Sequence, residues 1–177
     1  MPFRAFFLGV ACVASACHPA VPSGEQRAEE LVKLAQAHLG VYDLNQSIGK
    51  GFGKARSNLT EVSYDTPELR RFATYYLTPE KSLREFVVNQ PDAEPYMPIR
   101  NRAAFIERVM EIAAPESSKA ERTWGAKQLD SLWKKPLNPL PVQVGGYVFS
   151  GITSTHDTLR IVAADTGASG LKYRPQP

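Results

Sequence analysis

Histidine and cysteine are scarce in this chain, at three and two among 177 residues. No two of His18, His38 and His156 stand at metal-ligand spacing, and Cys12 and Cys17 lie together near the N-terminus. A Cys/His zinc site is thereby excluded, and neither metal nor cofactor is expected. A surplus of one charge is lacking too, since 21 Lys and Arg face 18 Asp and Glu. So even a balance marks no nucleic-acid partner. Arg70, Arg71, Lys81 and Arg84 alternate with Glu68, Glu80 and Glu85, the pattern of solvated helix faces. No apolar run approaches the ~20 residues that a membrane-spanning helix needs. Glycines cluster most densely in Gly49-Lys50-Gly51-Phe52-Gly53-Lys54, where Ala55 follows the lysine and Ile48 fills the place of a P-loop's first glycine. A phosphate-binding P-loop or dinucleotide fingerprint is excluded there, and a surface loop is expected.

What is present begins with an export signal. Arg4 precedes an apolar run, Ala5 to Ala14, and Ala14-Ser15-Ala16 puts small side chains where a signal peptidase reads. Residues 1–16 are therefore expected to be a signal peptide. Ala14-Ser15-Ala16-Cys17 resembles the lipobox of bacterial lipoproteins, with alanine at the position where leucine is commonest. The resemblance implies acylation of Cys17, a polar tether over 17–24, and a membrane partner reached through the lipid. Cysteine arithmetic agrees, because cleavage leaves Cys17 with no partner. By the same resemblance, His18 rather than Asp after the cysteine implies an outer-membrane lipoprotein facing the periplasm, and ordinary secretion or a soluble periplasmic protein is the alternative. Asn45-Gln46-Ser47 and Asn58-Leu59-Thr60 fit the N-glycosylation pattern, which has meaning only in a eukaryote.

The remaining chain is long enough to bury a self-sufficient core. Ser23 and Gln26 form a capping box for a first helix over Gly24 to Leu39, with Gly40 as its stop. Val41 to Asp65 reads as a long connection. Thr66-Pro67-Glu68 and Thr78-Pro79-Glu80 each offer a capping hydroxyl, a proline and an acid. They predict two more helices, the first with the stripe Leu69, Phe72, Ala73, Tyr76 and Leu77. A fourth is expected over Ile99 to Ala114 and a fifth over Glu116 to Lys135, the latter tolerating Gly125 at a cost of ~1 kcal/mol relative to Ala. Prolines 136, 139 and 141 stop the helical pattern. Val142 to Ile152 and Thr158 to Ala163 then read as a β-hairpin turning at Ser154 to Asp157. The expected fold class is α+β, mainly α: about five amphipathic helices in a small bundle over 25–135, followed by a C-terminal β-hairpin within 136–177.

Few residues invite chemistry. His156 and Asp157 are adjacent in a predicted turn, where such a pair can transfer protons, although both are also ordinary turn formers. Glu116-Ser117 followed by Gly125-Ala126 resembles the Glu-Ser…Gly-Ala signature of lytic transglycosylases, which implies Glu116 as a general acid. The spacing is shorter than that signature requires, and Lys127-Gln128-Leu129 replaces its glycine-leucine continuation. Among the aromatic residues, Trp124 and Trp133 suit a core, and Tyr75 and Tyr96 are candidates for a binding surface. The leading expectation is an envelope protein that binds another protein as an inhibitor, immunity factor or assembly accessory. The alternative is a small periplasmic hydrolase or cell-wall enzyme using His156, Asp157 or Glu116.

Overall fold

A computed structural model of the chain describes residues 22–68, 70–89, 102–133, 141–153 and 157–164. Helix α1, Gly24–Leu39, starts and stops on local chemistry. The Gln26 amide donates to Ser23 Oγ at 3.2 Å, and the Ser23 amide donates back to Gln26 Oε1 at 2.8 Å. Gly40 closes the helix at φ 70 with its N–H on the Gln36 carbonyl, a left-handed backbone that glycine adopts freely. Ala28, Leu31, Val32 and Ala35 form the buried stripe.

Both helices expected after the Thr-Pro-Glu echoes are strands. The chain runs through β1 (Asn45–Lys50), β2 (Thr60–Asp65), β3 (Arg71–Leu77) and β4 (Leu83–Asn89). Each echo is a hairpin turn. Thr66 N–H bonds the Arg70 carbonyl at 2.9 Å while Thr66 Oγ1 accepts from the Arg70 amide at 3.4 Å. Thr78 repeats this with Ser82, at 3.0 and 3.2 Å. A threonine followed by proline presents the same hydroxyl and the same fixed φ to a turn as to a helix start. The decision comes from beyond the echo. In β3 every residue from Phe72 to Leu77 is buried, so the helical stripe read there carries no information, and the Phe-Ala-Thr-Tyr-Tyr run follows its β preference.

The later elements are α2 (Arg102–Ala113), α3 (Lys119–Trp133), β5 (Val142–Val144), β6 (Tyr147–Thr153) and β7 (Asp157–Ala163). All strands join one antiparallel sheet in the order β1-β2-β3-β4-β7-β6-β5. The C-terminal hairpin is therefore part of that sheet. Strand β7 lies against β4, with Phe86 opposite Ile161 and Val88 opposite Leu159. Helix α1 packs on β3 and β4, α3 packs on β5 and β6, and α2 lies against both helices. Among the described residues, three helices and a seven-stranded sheet replace the expected bundle of five helices. The molecule is α+β without being mainly α. Among the described residues, no helix is long and apolar enough to cross a membrane.

Gly125 shows why local propensity misleads here. A Cβ at this position would lie 2.7 Å from Val144 Cγ2 and 3.1 Å from both Met110 Sδ and Cε. Glycine lets α3 approach β5 and α2 closely. Gly125→Ala would stabilise an isolated helix by ~1 kcal/mol. In this fold the substitution is expected to destabilise by about 1–2 kcal/mol, since overpacking outweighs propensity. The sign of the shift in urea midpoint decides between the two.

Candidate functional site: the open face and the β1 edge

The helices cover one face of the sheet, where Val62, Tyr75, Phe86, Phe149, Leu159 and Ile161 contribute to the core. Alternation along the strands sends Glu61, Ser63, Thr74, Tyr76, Glu85 and Arg160 to the opposite face. That face carries an array of charges. Arg71 Nε bonds Asp65 Oδ1 at 2.6 Å, and its Nη1 reaches Ser63 Oγ at 2.6 Å, Thr74 Oγ1 at 3.2 Å and Glu61 Oε1 at 3.3 Å. Glu85 sits at the middle of a second group. Arg56 Nε and Nη2 donate to its two carboxylate oxygens at 3.0 and 2.8 Å, and Arg160 Nε donates to Oε1 at 2.8 Å. Arg56 also lies over the Tyr76 ring, 4.6 Å from its centroid. Burial pushes the Tyr76 phenol above its ordinary range, against the pull of the Arg56 guanidinium.

The glycine-rich stretch positions Arg56. It forms the end of β1 and the loop over 51–59, held by Gly51 N–H on the Leu59 carbonyl, Arg56 N–H on Gly53 and Leu59 N–H on Arg56. A Cβ on Gly51 would lie 2.4 Å from the Arg56 carbonyl oxygen, so only glycine permits this fold-back. Between this loop, the turn at Thr78 to Glu80, and strands β4 and β7 lies an open groove of about 720 Å³.

The β1 edge adjoins the same loop. All six β1 residues are exposed, and β1 is an outer strand of the sheet. The exposed large hydrophobic residues of the described chain gather around it: Tyr42 and Ile48 at 70% and Phe52 at 92%.

The residues singled out from sequence are scattered. Glu116 is exposed in the α2–α3 connection, and its Oε1 accepts from the Gly146 amide at 3.4 Å, holding the β5–β6 turn. Asp157 opens β7 opposite Thr153, at the other end of β6 from Gly146. Six residue steps of extended chain put those ends about 20 Å apart, so Glu116 and Asp157 do not share a site. The side chain of Asp157 lies outside the described residues, as do His156, Tyr96 and Cys17. Tyr75 faces the core at 1% exposure and donates to Glu29 Oε1 at 2.5 Å, so it offers no surface for binding. His38 stacks on Phe105 at 4.2 Å, and burial lowers its pKa.

Sequence reasoning missed the Glu85 group altogether. Its partners come from 29 residues before and 75 residues after, and no linear spacing connects them. Glu85 reads in sequence as part of a solvated charge mixture, whereas its side chain is 8% exposed. The only local signal is the run of glycines leading to Arg56. No family model, curated protein or solved structure matches the chain.

Proposed function

We propose that this chain is an envelope protein, exported and lipid-anchored at Cys17, whose folded domain binds another envelope protein along the β1 edge. The observation that carries the binding reading is the edge itself. An outer strand offers a row of backbone donors and acceptors on which an extended segment can pair. Such edges are ordinarily blunted by charges, prolines or a covering element. β1 has no proline and a single charge, Lys50, at its last residue. Tyr42, Ile48 and Phe52 supply apolar contacts beside it. Backbone pairing gives affinity in such a complex, and side chains like Ile48 and Phe52 give selectivity. An inhibitor, an immunity factor and an assembly accessory would all use such a surface.

The anchor reading rests on the sequence of residues 1–24, from the apolar run to the polar tether. A second acylated position is not needed to hold the domain durably if Cys17 carries the two or three chains typical of lipoproteins.

A photo-reactive amino acid at position 48 tests the binding reading in cells. It is expected to give a discrete cross-linked adduct, while the same group at exposed Ala104 on α2 gives none. Equal labelling at both positions, or no adduct at 48, would overturn the proposal. For the anchor, Cys17→Ala is expected to move the protein from the membrane to the soluble fraction. Unchanged fractionation and processing would remove the lipid from the reading.

A further inference from the structure

We propose that the groove between loop 51–59 and strands β4 and β7 binds a phosphate group, free or carried by a small headgroup. Four cationic side chains, Lys54, Arg56, Arg84 and Arg160, line it against two carboxylates, Glu80 and Glu85. The cations at its centre are fixed in place. Glu85, with its side chain 8% exposed, takes both guanidinium groups through their Nε atoms. The Tyr76 ring backs the Arg56 guanidinium from beneath, and the Gly51 fold-back fixes the backbone from which Arg56 extends.

This arrangement orients the arginines without using all of their donors. Arg56 Nη1 and both terminal nitrogens of Arg160 have no hydrogen bond among the described residues. One carboxylate balances only one of the two guanidinium charges. The side chains of Arg56 and Arg160 are 35% and 38% exposed, so the remaining donors stay accessible. Lys54 is exposed in the same loop. The terminal fork of Arg160 matches the oxygens of a phosphate, and that fork together with Arg56 Nη1 and a lysine matches its double charge better than the single charge of a carboxylate. The groove is open, bounded by the loop at one side and the Thr78 to Glu80 turn at the other.

The test is calorimetric titration of the full chain with inorganic phosphate and, separately, with glycerol 3-phosphate, at fixed ionic strength. Saturable binding at one site is expected. Arg160→Gln should weaken it about tenfold, as the loss of one charge-assisted contact does. Lys54→Ala, which removes an exposed side chain and leaves the fold untouched, should weaken it by a smaller factor. Tighter binding of glycerol 3-phosphate than of phosphate would assign the groove to a headgroup. Equal binding would assign it to free phosphate. Absence of saturable binding by either, or affinity unchanged in both variants, would overturn the proposal.

Discussion

Asp130→Ala is expected to destabilise the protein by about 3–5 kcal/mol, the cost of breaking a buried ion pair from one side. Arg102 Nε meets Asp130 Oδ1 at 2.8 Å, with the two side chains 5% and 16% exposed. The pair joins the first residue of α2 to the last turn of α3. Each partner sits at the unfavourable pole of its own helix, a cation at an N-terminus and an anion near a C-terminus. Each therefore gains compensation from the other. Without the carboxylate, the Arg102 guanidinium faces desolvation and the positive helix end together. Urea denaturation at neutral pH reads the effect as a lower midpoint at unchanged slope. A loss under about 0.5 kcal/mol would show that the pair behaves as an exposed one. Replacing both partners by apolar side chains of similar volume is expected to cost far less than Asp130→Ala alone, because no charge is then left behind.

Stability is expected to fall steeply above about pH 10, where unfolded tyrosines ionise. Tyr64 and Tyr75 both donate to Glu29 Oε1, at 2.6 and 2.5 Å, and Gln46 Nε2 donates to the Tyr64 hydroxyl at 2.7 Å. Burial first, and then the Glu29 carboxylate, raises both phenols well above their ordinary range. A raised folded pKa means that the native state keeps these protons while the unfolded state releases them. The contribution is complete below the unfolded pKa and is lost as pH rises toward the folded values. Each tyrosine then removes about 1.4 kcal/mol per pH unit, so two together remove nearly 3 kcal/mol per unit. Urea midpoints measured from pH 8 to 12 give the slope. In the Tyr64→Phe, Tyr75→Phe double variant that steep component should vanish, whatever the variant's stability at neutral pH. A wild-type midpoint equal at pH 8 and pH 11 would show that the two phenols titrate freely in the native state.

The Glu29 cluster also marks where sequence and structure part. Tyr75 reads as a possible surface anchor because aromatic residues serve interfaces as readily as cores. Pairing decides the matter: Tyr75 lies opposite Val62 and Phe86 in the sheet, beneath α1, where Glu29 meets its hydroxyl. Nothing within a few residues of Tyr75 encodes that environment. The same holds for the Glu85 group, whose three members come from the 51–59 loop, β4 and β7. Strand β1 was illegible for a different reason. Its six residues are all exposed, so there is no buried face to leave an apolar alternation, and it holds its place by backbone pairing with β2 and the Gln46 to Tyr64 side-chain hydrogen bond.

The sequence by itself determined those parts whose energetics close within a few residues. Helix α1 follows from Ser23, Gln26, Gly40 and one apolar stripe, and the β6–β7 hairpin from β-branched runs flanking a turn. Helices α2 and α3 follow from their apolar spacing between prolines. Tertiary structure decided whether the Thr-Pro-Glu segments start helices or close hairpins, since their local chemistry serves both and only burial on both faces of β3 and β4 separates them. It also decided that Gly125 is a packing necessity rather than a helix weakness, and that distant charges meet on the open face. Local hydrogen bonds and periodicity are written along the chain; burial and charge pairing exist only once the strands are side by side.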